Sequence, residues 1–294
     1  MRLSTSTNIV SERPDGTLYS VEKTLAVAHS AGFDRFDMSF YEWNFPGSPF
    51  WSEQWEEWIC SIADCAARLG VRFGQCHGHT YNFLSPALSA EEREHQELLV
   101  DRSLRCCSIL GAQVFVTHPD TAWGSDRVMR DSKHKNLEYL KGLLDRALNV
   151  NLEIAVENMC DYSILPKRKF YVLPEEIADF IDEFRDPRLG VCWDFEHGDI
   201  LEFDQAKVVA FLGHRIKATH VSDTASKTYE PYMHILPFMG EIKWRPITDA
   251  LREINYQGDF SLEAHNFAKK IPEDLIPAAI KYAYTVGKYL LAGN

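Results

Sequence analysis

Apolar positions recur along this chain in two alternating rhythms. Short apolar or alternating runs, the pattern of strands, are separated by longer stretches whose apolar residues fall three or four apart, the pattern of amphipathic helices. Strand-like runs cover residues 2–9, 33–40, 71–76, 113–117, 152–156, 189–193, 216–219 and 260–262. Helical patterns cover 20–31, 54–69, 91–110, a stretch carrying Leu137, Leu140, Leu144, Ala147 and Leu148, then 174–184, 204–212, 246–254 and 273–291. Gly32, Gly70 and Gly111 punctuate the junctions, and Pro246 sits near a helix start, where a missing amide N–H costs nothing. Eight strands alternating with eight helices imply parallel strands joined by crossover helices. Such units close most economically as a (β/α)8 TIM barrel. An open doubly wound sheet would carry a glycine-rich phosphate loop after its first strand, and none is present.

Composition fits this picture and narrows the partners. The chain's 294 residues suit one barrel, so a single domain over 1–294 is expected. A net charge of −12 repels polyanions, so no nucleic-acid partner is expected. Neutral small molecules or cations fit better. Seven cysteines, an odd number, lack paired zinc-finger spacing. Cys106 and Cys107 fall in a helical pattern, and Cys76 and Cys192 in strands, which points to reduced thiols and a cytoplasmic protein. The N-terminal residues lack a signal-peptide core, and no run approaches ~18 apolar residues, so no membrane association is expected.

The polar residues that close the strands carry the chemistry. Four consecutive strand-like runs end in Glu157, Asp194, His220 and Glu263. Active sites of TIM barrels lie at the C-terminal ends of the strands, and a charge ending a buried strand is costly unless a metal or partner compensates it. Three carboxylates and one imidazole form an oxygen-rich set suited to one divalent metal: Mn²⁺, Mg²⁺ or Co²⁺, with Zn²⁺ also acceptable. Any one of them alone can instead make an ordinary hydrogen bond; four on successive strands favour the metal. Two long connections, 159–173 and 222–243, are of the kind that carry function on a rigid scaffold. Within the first, Lys167, Arg168 and Lys169 read as solvated loop surface in preference to a phosphate grip. The aromatic connection 41–55, with Trp43, Phe45, Phe50, Trp51 and Trp55, reads as a lid over a sugar, a subunit contact or the rim of the core.

Five motifs carry a resemblance: VEN at 156–158, CWDFEH at 192–197, THVSD at 219–223, HILPFMGEIKW at 234–244 and SLE at 261–263. In order and spacing, the sequence resembles the xylose isomerase-like TIM-barrel superfamily over essentially its whole length. That superfamily contains D-tagatose and D-psicose 3-epimerases, hydroxypyruvate isomerase, inosose dehydratase and, more distantly, the AP endonuclease of abasic-site repair. The resemblance implies a metal held by Glu157, Asp194, His220 and Glu263. It also implies that Glu157 and Glu263 are catalytic, moving protons on opposite faces of a small keto-sugar through a cis-enediolate. His197 matches a histidine that contacts substrate oxygens. His77, His118 and His234 are further substrate-facing candidates, with His265 a weaker one, and Asn158 either contacts substrate or caps a turn. The implied activity is a sugar isomerase or epimerase. A dehydratase on the same scaffold and a non-catalytic sugar-binding barrel are the alternatives. Relatives that dimerise or tetramerise imply a homo-oligomer.

Two departures qualify the resemblance. The epimerases place an arginine shortly after the metal-binding histidine, whereas this chain reads Ser222-Asp223-Thr224-Ala225-Ser226-Lys227, leaving Lys227 as an imperfect substitute. His77 and His118 match the endonuclease histidines that share a glutamate, here Glu157, with a second metal. The endonuclease's aspartate-x-histidine pair, however, reads Tyr232-Met233-His234. With the −12 charge, that loss argues against a repair nuclease and for one metal rather than two.

Overall fold

A computed structural model describes residues 1–10, 12–161, 165, 167–227, 229 and 232–293; the other positions of the two long connections lie outside them. Eight parallel strands close into a barrel: β1 (Arg2–Ser6), β2 (Arg35–Ser39), β3 (Arg72–His77), β4 (Val114–Thr117), β5 (Glu153–Glu157), β6 (Leu189–Asp194), β7 (Ile216–Val221) and β8 (Asp259–Leu262). Each pairs with its sequence neighbour, and β8 closes on β1, with Arg2 opposite Asp259 and Thr5 opposite Leu262. The helices are α1 (Val21–Ala31), α2 (Trp55–Leu69), α3 (Ala90–Ile109), α4 (Val128–Leu148), α5 (Pro174–Phe184), α6 (Phe195–Ile200), α7 (Gln205–Leu212), α8 (Trp244–Glu253), α9 (His265–Ala268) and α10 (Ile276–Ala292). The chain therefore has the expected TIM barrel.

Two short helices, α6 and α9, are additions to the sequence reading. α6 follows β6 directly and α9 is separated from β8 by two residues, and neither is long enough to show helical periodicity. Asp194 starts α6 by accepting the His197 N–H at 2.8 Å, so the strand's last residue doubles as a helix cap. The first strand is also shorter than read. It ends at Ser6, and Thr7–Val10 coil into a 3₁₀ turn whose Ile9 still packs in the core.

Alternation along the strands positions the site. Leu189, Val191 and Trp193 of β6 face outward into the core beneath the helices. Cys192 instead joins Val116, Ala155 and Ala218 in a small cluster of its own. Side chains two apart share a face. The residues two beyond Val116, Ala155, Cys192 and Ala218 are His118, Glu157, Asp194 and His220, so four small apolar residues form the floor beneath four polar ones. At Gly190 a Cβ would stand 2.5 Å from Lys217 Cγ and 2.6 Å from the Arg215 carbonyl, so β6 and β7 meet there only across a glycine.

Three expectations about the connections are sharpened. The aromatic stretch after β2 is mostly a pedestal. Phe50 and Trp55 are buried, and Trp43 packs on Trp58 at 5.3 Å. Arg168 of the basic triplet is neither phosphate grip nor solvated surface: it is buried, and its guanidinium grips Glu176 in two bonds of 3.0 and 2.8 Å. Asp223, fully buried, ties down the 222–243 connection. It accepts from the backbone N–H of Thr224, Phe238 and Ile242 and from the Trp244 indole at 2.9–3.2 Å, which links two of the motifs quoted above.

Candidate metal centre and active site

At the C-terminal mouth of the barrel lies a cavity of about 640 Å³, within the range of small-molecule sites. His77, His118, Glu157, His197, His234 and Glu263 line it. Asp194 and His220, both fully buried, complete the cluster beneath. Strand order brings His77, His118, Glu157, Asp194, His220 and Glu263 together, each from a different strand or the residue following it, while His197 comes from α6 and His234 from the connection after β7.

The ligand atoms of Glu157, Asp194, His220 and Glu263 lie within 4.8 Å of one another. His220 Nδ1 stands 3.1 Å from Oε2 of Glu157 and 3.1 Å from Oε2 of Glu263. The other ring nitrogen, Nε2, donates to Asp37 Oδ2 at 3.2 Å. Because an ionised carboxylate only accepts, that bond fixes the proton on Nε2 and leaves Nδ1 to take a cation or a second proton. Nδ1 makes no aligned hydrogen bond, and neither does Asp194 Oδ2, although both are buried. A lone pair crowded by carboxylate oxygens, with a second orphaned acceptor alongside, is an arrangement a divalent cation satisfies, so the residues present fit one.

The charges of the cluster pull in opposite directions. Burial alone would raise Glu157, but His220 and His118 outweigh it and hold this carboxyl well below its usual range. Burial, reinforced by the charges of Glu157 and Asp194, pushes Glu263 up to about 8 against the pull of His220. Burial would lower His220, yet Cys192, Glu263, Glu157 and Asp37 reverse this and favour a proton on it. Protons and a metal therefore compete for Nδ1.

His77, His118 and Glu157 form a second possible ligand set. Here hydrogen bonds account for the geometry. His77 Nδ1 donates to the Gly78 carbonyl at 3.1 Å, and its Nε2 lies 3.0 Å from His118 Nε2 and 3.3 Å from Glu157 Oε2. Burial lowers both imidazoles, but Glu157 overrides it at His77, raising that ring to about 9, while His118 stays lowered. His77 is thus the donor and His118 the acceptor. No buried atom of this trio lacks a partner, in contrast to the first set.

His197 Nδ1 donates to the Asn158 carbonyl at 2.7 Å, which leaves Nε2 as its free nitrogen. His234, with φ 48°, stacks on His265 at 4.3 Å. Burial and neighbouring His265 lower it to about 3, so it is neutral. Two readings need correction. Asn158 is buried and its amide bonds the Asp194 backbone both ways, donating to the Asp194 carbonyl at 3.0 Å and accepting the Asp194 N–H at 2.6 Å. It clamps β5 to β6 and is not among the residues that line the cavity. Lys227 pairs with Glu202 at 3.0 Å, outside the cavity, and does not replace the missing arginine.

Three acidic residues were missed. Asp37, in the middle of β2, holds His220. Glu196, buried in α6, accepts the His234 N–H at 2.5 Å, and burial pushes it up to about 9. Glu42, in the 3₁₀ turn Tyr41–Trp43, lines the cavity. The available signal was an acid inside an apolar run, as in FDMSF, WDFEH and FYEW.

Comparison with known proteins agrees with this architecture. A family model for xylose isomerase-like TIM barrels matches residues 25–286. The uncharacterized protein y4fM of Sinorhizobium fredii is 29% identical over 173 residues, 57% of this chain and 51% of that protein. A D-psicose 3-epimerase of Enterocloster bolteae is 29% identical over 102 residues, 34% of this chain and 31% of that one. The chain thus spans about half or less of the length of the curated relatives it matches. Among solved structures, a D-psicose 3-epimerase with D-tagatose from Clostridium cellulolyticum shares the fold with a TM-score of 0.75 at 15% identity, covering 99% of both chains. By the extent of the family match, carried on a closed eight-stranded barrel, this chain belongs to the xylose isomerase-like TIM barrel family.

Proposed function

We propose that the protein is a metal-dependent isomerase or epimerase of a small keto-sugar. The observation that carries this reading is the convergence of Glu157 and Glu263 on His220 Nδ1, beside the orphaned Asp194 Oδ2. Glu157, Asp194, His220 and Glu263 would hold a divalent cation, which when bound acidifies the carbon-bound proton beside the ketone. Both glutamates also line the cavity, so each reaches substrate. One takes the proton from that carbon, and the other returns a proton from the opposite face. Return to the same carbon inverts it; return to the neighbouring carbon exchanges aldose and ketose. His77, a donor 3.3 Å from Glu157, and His220 beside it keep that carboxylate an ionised base. His197, anchored on Asn158, offers Nε2 to a substrate hydroxyl. The D-psicose 3-epimerases among its relatives support this reading, which extends to a homo-oligomeric, cytoplasmic enzyme without a nucleic-acid partner.

The test is exchange of deuterium from D₂O into a panel of ketoses with Mn²⁺ present. Glu157→Gln and Glu263→Gln should each slow exchange by about 10²- to 10⁴-fold while most Mn²⁺ stays bound. Undiminished exchange in either would refute the proton-transfer roles. Protein that takes up no divalent metal would favour a non-catalytic barrel.

A further inference from the structure

The four proposed metal ligands come from β5 to β8, one half of the ring. The other half also reaches the cavity. Asn8 follows β1, Ser39 ends β2, Glu42 lies in the turn just after β2, and His77 ends β3. Of these, Glu42 has the least satisfied side chain. Its Oε2 is shielded from solvent and makes no hydrogen bond. Buried polar atoms are nearly always paired, and one left unpaired beside a cavity calls for a partner that arrives there.

The turn that carries Glu42 is rigid. The next residue, Trp43, packs on Trp58, and its carbonyl accepts from Ser48 Oγ at 2.5 Å. Phe40, the residue preceding the turn, packs on Phe50 at 5.0 Å. A side chain on such a support holds its position before substrate binds, which is what recognition by hydrogen bonding requires.

We propose that Glu42 is a specificity-determining residue that binds a hydroxyl of the keto-sugar on the β1–β2 side of the barrel mouth, across the ring from β5 and β6. This deepens the isomerase reading and rests on it. The partner is a hydroxyl because a carboxyl oxygen needs a donor, and a phosphate or carboxylate offers none. The cavity also has little to receive an anionic end. Among the described residues, its lining contains one side chain of fixed positive charge, Lys269, whose ammonium is held by Glu12 at 2.7 Å. The substrate class is therefore an uncharged polyhydroxylated ketone, long enough to run from the carboxylates of β5 and β6 to the β1–β2 wall.

The experiment compares wild type, Glu42→Ala and the near-isosteric Glu42→Gln, all loaded with Mn²⁺ and checked for equal melting temperature. Ketohexoses lacking one hydroxyl at a time are titrated calorimetrically, and deuterium exchange is followed in parallel. For one position, wild type should lose affinity by about tenfold to a hundredfold on deoxygenation, and Glu42→Ala should lose almost none there. Loss at other positions should be unchanged, a selectivity that a merely structural role would not produce. Glu42→Gln, which keeps an acceptor oxygen, should retain part of the discrimination. Identical discrimination by wild type and Glu42→Ala at every position would overturn the proposal. Binding with this selectivity but no exchange would refute the isomerase reading and leave Glu42 as the reader of that hydroxyl; no binding of any ketose would overturn both.

Discussion

Replacing Asp37 with asparagine should cripple the proposed metal site from below without touching a proposed ligand. Asp37 is fully buried, and its carboxylate takes four donors: His77 N–H at 3.0 Å on Oδ1, and on Oδ2 Gln75 Nε2 at 2.7 Å, His220 Nε2 at 3.2 Å and Ser261 Oγ at 3.3 Å. Burial would raise it, but the His220 and Gln75 hydrogen bonds keep it ionised. An asparagine offers one oxygen and one NH₂. With the NH₂ in the place of Oδ2, it faces three donors, and His220 escapes by moving its proton from Nε2 to Nδ1, the nitrogen the metal requires. With the NH₂ in the place of Oδ1, the buried His77 N–H loses its acceptor, at about 1–3 kcal/mol, and His220 bonds a neutral carbonyl in place of a carboxylate. Both orientations weaken the site. Loss of such a supporting carboxylate typically costs 10- to 100-fold in metal affinity, about 1.4–2.8 kcal/mol. Titration with Mn²⁺, reading free ion by electron paramagnetic resonance, measures the affinity, and the imidazole ¹⁵N spectrum reports the tautomer of His220. Wild-type Mn²⁺ affinity with His220 still protonated on Nε2 would refute the argument.

Two further substitutions separate support from chemistry. Asn158→Ala removes both bonds to the Asp194 backbone and leaves a buried N–H unpaired; chemical denaturation should show a loss of about 1–3 kcal/mol, together with weaker Mn²⁺ binding, and unchanged values for both would show that the clamp carries no load. Arg168→Ala removes both guanidinium bonds from Glu176, whose Oε1 keeps the Tyr171 and Val172 N–H donors, so stability should fall by about 1.5–3 kcal/mol in the same assay while exchange kinetics on neutral ketoses stay the same; a loss of affinity selective for phosphorylated ketoses would restore the phosphate-grip reading.

The barrel was legible because its evidence is repetitive. Each strand-helix unit repeats the same two rhythms, so a misplaced boundary, such as Ile9 at the end of the first strand, leaves the topology intact. The four proposed ligands were legible for a related reason: each closes an apolar run, where a charged group stands out. Other features escaped because their meaning lies in a partner distant in sequence. Asp37 meets His220 across 183 positions, and nothing local distinguishes its use from that of any acid in a strand. Asn158 looked like a substrate contact because it adjoins Glu157, but side chains alternate, and the adjacent residue turns away. Arg168 looked solvated because basic runs usually are; only Glu176, one helical turn into α5, gives it a buried place.

The pairing of every strand with its sequence neighbour has a bearing on how such a protein can change. The proposed cation-holding residues all lie between Glu157 and Glu263, in the later half of the chain, whereas Glu42 and its supports lie in the earlier half. On the proposed reading, insertions or exchanges in the loops after β1 to β3 can therefore alter which sugar is admitted while inheriting the proposed proton-moving half intact. The main constraint on such remodelling is Asp37, which reaches from β2 to β7, so divergence is freest in the loops above it and most restricted in the strand that carries it.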